Sequence, residues 1–426
     1  MIRHATPHPL AVGAAVLALL SATACGTSPA SPTVDGQRIV PIDPSRPGDS
    51  LFQEGLAHYQ RADREQAAGL AARTTGDGAA AAGAFAAAVT DYALALETFD
   101  RLLGDATLCP APSIRCDNAA YLAGRSRYEA GMLQGDLAAL RGDGALLVDS
   151  ERSLTDARSR LDAMLSAFPA SSFVASAAYF DGRAHYEIAR KFGVGSYAGA
   201  ELLFERSFAS DPNGTWSDNA LYYDGRCEFE LGHALVAAGT AGLTLADYDR
   251  SRLLFDQAIG AESALLSRFA TSTYRDNASY YLGRAWLEKP TPDVAPGAPV
   301  GTPDAERISN LGRAVTALTA VVNTPSSSLG PGARYWRGRA HYNLWFHQAG
   351  AVVGAELDLA VADFHAVPAA STWRDNALYY AVKSSVHAGN VAGACADFAD
   401  LATNFAGSTY TSRAAGVLSA AAITCP

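Results

Sequence analysis

The sequence predicts an all-α fold, a solenoid of helical hairpins. Alanine is abundant, and Val, Ile and Thr do not gather into alternating runs, which favours closely packed helices over strands. A chain of 426 residues is too long for one compact core. One sequence motif, called this phrase below, also recurs along the chain, and its central glycine falls at Gly124, Gly182, Gly225, Gly283 and Gly338. We therefore expect six or seven hairpins in one right-handed solenoid, with almost no β-strand.

Each copy of this phrase reads as one helix. The clearest copies are residues 117–129, 177–187, 218–230 and 276–288, with looser copies at 335–342 and 375–380. Within the third copy, Ala220, Tyr223 and Cys227 are spaced to mark one packed face. A glycine inside a helix costs about 1 kcal/mol relative to alanine. Its repetition therefore predicts that a neighbouring helix crosses close to the backbone at each glycine.

Three copies open with a sequence typical of a capping box. A threonine is followed three residues later by an acid, and the threonine oxygen would accept an orphan backbone N–H of the first turn. The pairs are Thr215 with Asp218, Thr273 with Asp276, and Thr372 with Asp375.

A second helix follows most copies and completes a hairpin. Its apolar positions are Ala157, Leu161, Met164 and Phe168, and the same spacing recurs from Ala394 onward. The combined pattern resembles the tetratricopeptide repeat. It is similar in detail to the periplasmic partner of the Tol–Pal envelope system and to the lipoprotein subunit of the outer-membrane β-barrel assembly machine. The resemblance covers most of residues 105–426, and the stretches 168–173 and 269–274 are the most similar. It implies a tetratricopeptide-like α-solenoid over residues 46–426, with 46–104 as a long N-terminal hairpin.

The N-terminus has the parts of a secretory signal peptide at residues 1–24. A basic start at Arg3 is followed by an apolar run from Leu10 to Leu20 and then by small residues. Cys25, directly after Ala24, resembles the cysteine of a bacterial lipobox, which implies that Cys25 is lipidated and becomes the new N-terminus. An ordinary signal peptide cleaved near Ala24 is the alternative.

Residues 25–45 are rich in Gly, Ser, Pro and Thr, which predicts a flexible linker between the lipid anchor and the helices. No later stretch is expected to be long and apolar enough to cross a membrane. These features predict a lipid-anchored protein of the cell envelope, and the resemblance implies the periplasmic face of the outer membrane.

The remaining cysteines suit an oxidising compartment. Cys109 and Cys116 are close in sequence, and Cys395 and Cys425 lie in the last helices, so we predict one disulfide in each pair. Cys227 is left as a buried thiol. A metal site at the first pair is the competing interpretation, but it lacks a second pair of ligands.

The sequence contains no phosphate loop, nucleophile elbow, paired-histidine zinc helix or calcium loop. We therefore predict no catalytic residue, no metal, no cofactor and no enzymatic activity. The formal net charge of −10 and the absence of a basic run argue against a nucleic-acid partner.

The most prominent candidate for binding is the arginine that follows each central glycine. In the resembled family the first helix of each hairpin lines a concave groove, where a row of arginines could hold an acidic peptide or a C-terminal carboxylate. The alternative is that each arginine pairs with a cap aspartate or with a glutamate of the next repeat. The predicted partner-binding residues are Tyr222, Arg226, Tyr280, Arg284, Trp336 and Arg339.

The predicted function is that of a lipid-anchored envelope scaffold that binds other envelope proteins or peptides through this concave surface. Alternatives are a structural subunit of an outer-membrane assembly or secretion complex, and an accessory to a peptidoglycan-acting enzyme.

Overall fold

The computed structural model describes residues 33–39, 43, 46–109, 114–237, 243–295, 305–348 and 353–425. The chain forms two compact units, and the division between them falls between Cys227 and Glu228. The predicted signal peptide and Cys25 lie outside the described residues.

The first unit consists of a short β-hairpin followed by three helical hairpins and the start of a fourth. Adjacent helices along the chain pack against each other. The elements are β1 Thr33–Val34, β2 Gln37–Arg38, α1 Pro47–Thr74, α2 Gly78–Gly104, α3 Ile114–Arg141, α4 Gly144–Ala167, α5 Val174–Phe192, α6 Tyr197–Ser210 and α7 Ser217–Val236, which ends in the second unit.

The second unit continues the same alternation, and its last helix, α15, packs on α13 and α14. Its elements are α8 Leu245–Arg268, α9 Arg275–Glu288, a 3-10 helix Pro292–Val294, α10 Ala305–Val322, α11 Gly330–His347, α12 Val353–His365, α13 Arg374–His387, α14 Val391–Asn404 and α15 Thr409–Ala420. We call the odd-numbered helices α1 to α13 the A helices, and the even-numbered helices α2 to α14 the B helices. The predicted all-α, tetratricopeptide-like fold is confirmed, with seven hairpins and two short strands in the described part of the chain.

The central glycines sit where a B-helix side chain presses on the A helix. A Cβ added at Gly124 would lie 2.7 Å from Leu161, and one added at Gly182 would lie 2.9 Å from Phe204. Gly283 faces Leu318 of α10 in the same way. The glycines therefore allow the two helices of a hairpin to approach closely, as the sequence predicts.

The predicted capping boxes at Thr273 and Thr372 are wrong. Helices α9 and α13 begin one residue later, with Tyr274 and Trp373 at the N-cap and no side-chain cap. Instead, Ser272 Oγ accepts the backbone N–H of Tyr274, and Ser371 Oγ accepts that of Trp373. Likewise, α7 begins at Ser217, two residues after Thr215. The aromatic ring explains the difference for Tyr274, because placing it in the core fixes where the helix can start.

Part of the predicted linker is folded. β1 and β2 pair in antiparallel fashion around Asp35 and Gly36, which have φ of 51° and 75°. An Asp-Gly pair favours a two-residue hairpin turn of this kind, because both positions need positive φ. Ile39, just after β2, is fully buried. The linker prediction missed this local signal because it weighed only the overall composition.

Helix α2 is long and apolar enough to cross a membrane by length and composition, contrary to the expectation for the chain after its leader. Its large side chains nevertheless have protein neighbours. Phe99 lies 5.8 Å from the ring of Phe52, and Tyr92 lies 5.6 Å from the ring of Tyr59, with Phe99 and Tyr92 fully buried. These contacts pack one face of α2 against α1 in the first hairpin.

Both cysteine pairs that the sequence selects are bonded in the structure. Their Cα atoms are 5.6 Å apart for Cys109–Cys116 and 5.3 Å apart for Cys395–Cys425. The second bond ties the end of the chain to α14. Cys227 is buried and belongs to neither disulfide.

Candidate interaction surface

Consecutive A helices repeat a pair of residues, a tyrosine and a basic residue four positions later. The two residues of a pair lie about one helical turn apart on the same helix. We call each such pair a rung and number the rungs along the chain. Rungs one to six are Tyr121/Arg125, Tyr179/Arg183, Tyr222/Arg226, Tyr280/Arg284, Tyr335/Arg339 and Tyr379/Lys383. The sequence analysis missed Lys383, because Val382 replaces the central glycine there, although the spacing from Tyr379 is unchanged.

The first four rungs carry a glutamate four residues after the arginine, on the same helix. The N···O distances are 2.8 Å for Arg125–Glu129, 3.3 Å for Arg183–Glu187 and 2.7 Å for Arg284–Glu288. The sequence analysis offered a glutamate of the next repeat as the alternative partner. For these three arginines that is wrong, because the paired glutamate lies on the same helix. Adjacent turns of one helix supply both charges.

These glutamates are held in their ionised form. Burial would raise the pKa of Glu187, but the positive charges of Lys191, Arg190 and Arg183 outweigh it and lower the pKa to about 2. Burial likewise opposes ionisation of Glu288, and Arg284 with His233 lowers its pKa to about 2. The rungs therefore hold buried charge that is compensated locally.

The connection between repeats comes from the aromatic rings. Four of the rung arginines place their guanidinium over a ring of the next A helix, in a cation–π contact. The distances from Cζ to the ring centroid are 3.3 Å for Arg125–Phe180, 4.1 Å for Arg183–Tyr223, 4.5 Å for Arg284–Trp336 and 4.9 Å for Arg339–Tyr380. The arginines thus link neighbouring repeats within each unit.

The aromatic residues predicted to anchor a partner are buried rather than exposed. Tyr222, Tyr280 and Trp336 are only 5%, 4% and 8% exposed. Trp336 Nε1 donates a hydrogen bond of 2.9 Å to the Tyr280 hydroxyl, so these two rings bridge adjacent A helices. The rings therefore fill space between repeats. Arg226, Arg284 and Arg339 remain partly exposed.

Rung one is occupied by a segment of the chain itself. The Tyr121 hydroxyl donates to the carboxylate of Asp35, at the tip of the β-hairpin. Arg125 Nη1 lies 3.3 Å from the same carboxylate. A Cβ added at Gly36 would lie 2.6 Å from Thr215 Oγ1, so the turn also fits closely against the segment before α7. This rung therefore holds a side-chain carboxylate presented on a turn.

Two buried acids lie away from the rungs. Burial, with the negative charge of Asp162, raises the pKa of Asp181 to about 8. Burial, with Glu205 and Glu201, raises the pKa of Asp224 to about 8. Within the described residues no group of three or more His, Cys, Asp and Glu side chains is placed to hold a metal.

No family model matches the chain, and no curated protein matches it. Solved structures with a similar course include the C-terminal part of a TPR repeat-containing protein from Cytophaga hutchinsonii, at 12% identity and a TM-score of 0.44, covering 77% of this chain and 95% of that one. Yeast Tom70 is 12% identical with a TM-score of 0.35, covering 92% of this chain and 67% of that one. A circular tandem repeat protein is 14% identical with a TM-score of 0.28, covering 88% and 94%. Likenesses this distant assign no activity or partner.

Proposed function

We propose that the protein is a scaffold that binds segments of other proteins along the face of its A helices. The observation that carries the proposal is rung one, where this face already holds a polypeptide segment. The Asp35 turn is bound there through its carboxylate, and Ile39, four residues later in the same segment, is fully buried. The same pair of residue types recurs on A helices of each unit, so further contacts of this kind are available to a bound segment.

A more specific proposal concerns the anchor and the location of the protein, and it rests on the N-terminal sequence. Cys25 would carry a lipid, and the partners would be envelope proteins or peptides at the periplasmic face of the outer membrane. The resemblance to the Tol–Pal partner and to the barrel-assembly lipoprotein supports this location. A structural subunit of an outer-membrane assembly or secretion complex would use the same face.

Site-specific photocrosslinking tests the scaffold. A benzophenone amino acid is placed at Asn343, next to rung five on α11, and at Leu359, which is 49% exposed on the B helix α12. In cells that express the full chain, we expect reproducible crosslinks to protein from Asn343 and none from Leu359. Equal crosslinking from both positions, or none from Asn343, would contradict the proposed face.

A further inference from the structure

We propose that rungs five and six bind an acidic segment of a partner protein, with Arg339 and Lys383 receiving its carboxylates. This inference rests on the proposed function. It adds which part of the A-helix face is open to the partner and what chemistry the partner presents.

The glutamate that stands four residues after the arginine in each of the first four rungs is missing from the last two. Asn343 stands four residues after Arg339, and His387 stands four residues after Lys383. Among the described side chains, no carboxylate lies within ion-pair distance of either cation. Rungs five and six therefore carry positive charge without a matching anion among the described side chains.

One acid that influences Arg339 is already engaged. Burial opposes the positive charge of Arg339, and the two tyrosines Tyr335 and Tyr380, with Glu288, raise its pKa. The Glu288 carboxylate lies 2.7 Å from Arg284 and 2.6 Å from His233. Glu288 therefore cannot turn to Arg339 without leaving two closer partners.

One ring brings the two cations together. The Arg339 guanidinium lies 4.9 Å from the centre of the Tyr380 ring, and Lys383 Nζ lies 5.9 Å from the same ring and 4.9 Å from Tyr342. Arg339 Nε is buried without a hydrogen-bond acceptor. Both side chains remain partly exposed. A carboxylate beside the exposed parts of the two side chains would offset the repulsion of two like charges.

Burial and the positive charge of Arg339 both lower the pKa of Lys383. Burial and Lys383 in turn lower the pKa of His387. Burial is the larger cause in both cases, and the smaller electrostatic contribution comes from a neighbouring cation.

Rung one shows what this residue pair accepts. There the tyrosine and arginine hold Asp35, although Arg125 also pairs with Glu129. Rung five has the same tyrosine and arginine at the same spacing, and it lacks the competing glutamate. A side-chain carboxylate on a turn or an extended segment therefore suits rung five at least as well as rung one.

The surroundings favour a protein segment over another polyanion. Tyr379 lies 5.5 Å from Tyr410, and exposed Arg413 stands beside that ring, so the cationic and aromatic surface continues onto α15. A peptide can combine a few acids with contacts to these rings. A nucleic acid would need many phosphate contacts, and the sequence contains no basic run to supply them.

The test measures binding of two fluorescein-labelled decapeptides to the full chain by fluorescence anisotropy. One peptide contains four Asp-Gly pairs and the other four Asn-Gly pairs. We expect the acidic peptide to bind at least tenfold more tightly, and more weakly as salt is added. Lys383→Gln should weaken its binding at least fivefold, and Lys383→Arg should retain it. Arg313→Gln removes the same charge from an exposed position on α10 and should leave binding unchanged.

Equal binding of the two peptides, equal losses in Lys383→Gln and Arg313→Gln, or tighter binding of a dT10 oligonucleotide than of the acidic peptide would each overturn the inference. Thermal unfolding of every variant is recorded in parallel, so that a loss of binding is not a loss of folding. Crosslinks from Asn343 that persist without any preference for the acidic peptide would leave the scaffold standing and remove only this inference. A failure of the Asn343 crosslinks would contradict the scaffold itself.

Discussion

The Arg284 guanidinium has close neighbours on three A helices. Its Cζ lies 4.5 Å from the ring centres of both Phe229 and Trp336, and its Nη2 pairs with Glu288. Such a side chain is held by the repeats on either side, which limits how far it can turn toward a partner. At the residue scale, then, the central rungs serve mainly to join repeats.

Replacing Arg284 with glutamine should therefore reduce stability before it affects binding. The change leaves the buried carboxylate of Glu288 with His233 as its remaining close partner. We expect the free energy of unfolding to fall by about 3 kcal/mol, as when one partner of a buried ion pair is removed. Chemical denaturation measures it.

Arg313 supplies the matched control for this change. It is exposed on α10 and contacts only the Trp286 ring among the aromatic residues, at 4.6 Å. We expect Arg313→Gln to cost less than about 1 kcal/mol. Equal stability of the two variants would show that the arginine does not link the repeats.

Asp181 should make stability fall as pH rises. Its folded pKa of about 8 lies above the usual value, so between these limits the folded chain holds a proton that the unfolded chain releases. His185, four residues on, has a pKa lowered to about 4 by burial and by Arg158, and its contribution therefore rises with pH up to about 6.5. Below pH 6.5 the fall in stability from Asp181 and the rise from His185 oppose each other. Above pH 6.5 His185 no longer contributes a rise, so the effect of Asp181 can be measured there.

We therefore expect Asp181→Asn to gain stability relative to the parent between pH 6.5 and 8, by about 1.4 kcal/mol for each pH unit. Denaturation at three pH values in this window gives the difference directly. The same change at Asp149, which is partly exposed on α4 and paired with Arg152, should leave the slope of stability with pH unaltered in this window. A constant difference between parent and Asp181→Asn would mean that the buried carboxyl ionises normally.

At the scale of the elements, the glycine in each A helix sets the distance to its B helix. Gly283 is the sharpest case in the second unit, since an added Cβ would lie 2.6 Å from Leu318 Cγ and 3.3 Å from the carbonyl oxygen of Ala314. Gly260, inside α8, has nothing within 4 Å of the same position. The two glycines have the same intrinsic cost in a helix but different surroundings.

Alanine at these two positions should accordingly have opposite effects. We expect Gly283→Ala to lower the free energy of unfolding by about 2 kcal/mol through overpacking. Gly260→Ala should raise it by about 0.5–1 kcal/mol, because alanine loses less backbone freedom. Urea denaturation of both variants measures these changes. A higher free energy of unfolding in Gly283→Ala would refute the explanation by close contact with Leu318.

At the scale of the whole molecule, the open question is how the chain is held in the cell. The N-terminal residues 1–24 and Cys25 predict export and lipidation. We expect Cys25→Ser to release the protein from the membrane fraction while the helical content measured by circular dichroism stays unchanged. A variant that remains membrane-bound and is processed like the parent would contradict the lipid anchor.

Local order along the chain was predictable from the sequence. Helical periodicity, the recurring glycine and the proximity of cysteine pairs all act over a few turns, so the hairpins, the close contacts at Gly124 and Gly283, and the bonds Cys109–Cys116 and Cys395–Cys425 could be read directly. The cap positions were misjudged, because burial of Tyr274 outweighed the cap preference of Thr273.

Only the tertiary structure decided what the arginines do. The Arg–Glu spacing was visible in the sequence. The ring that each guanidinium contacts lies one repeat away, and Asp35 lies 90 residues before Arg125. The missing acid at Arg339 and Lys383 likewise gains meaning only once the folded chain shows that no other described carboxylate pairs with them. Electrostatic pairing depends on distance in space, which the order of residues along the chain does not give.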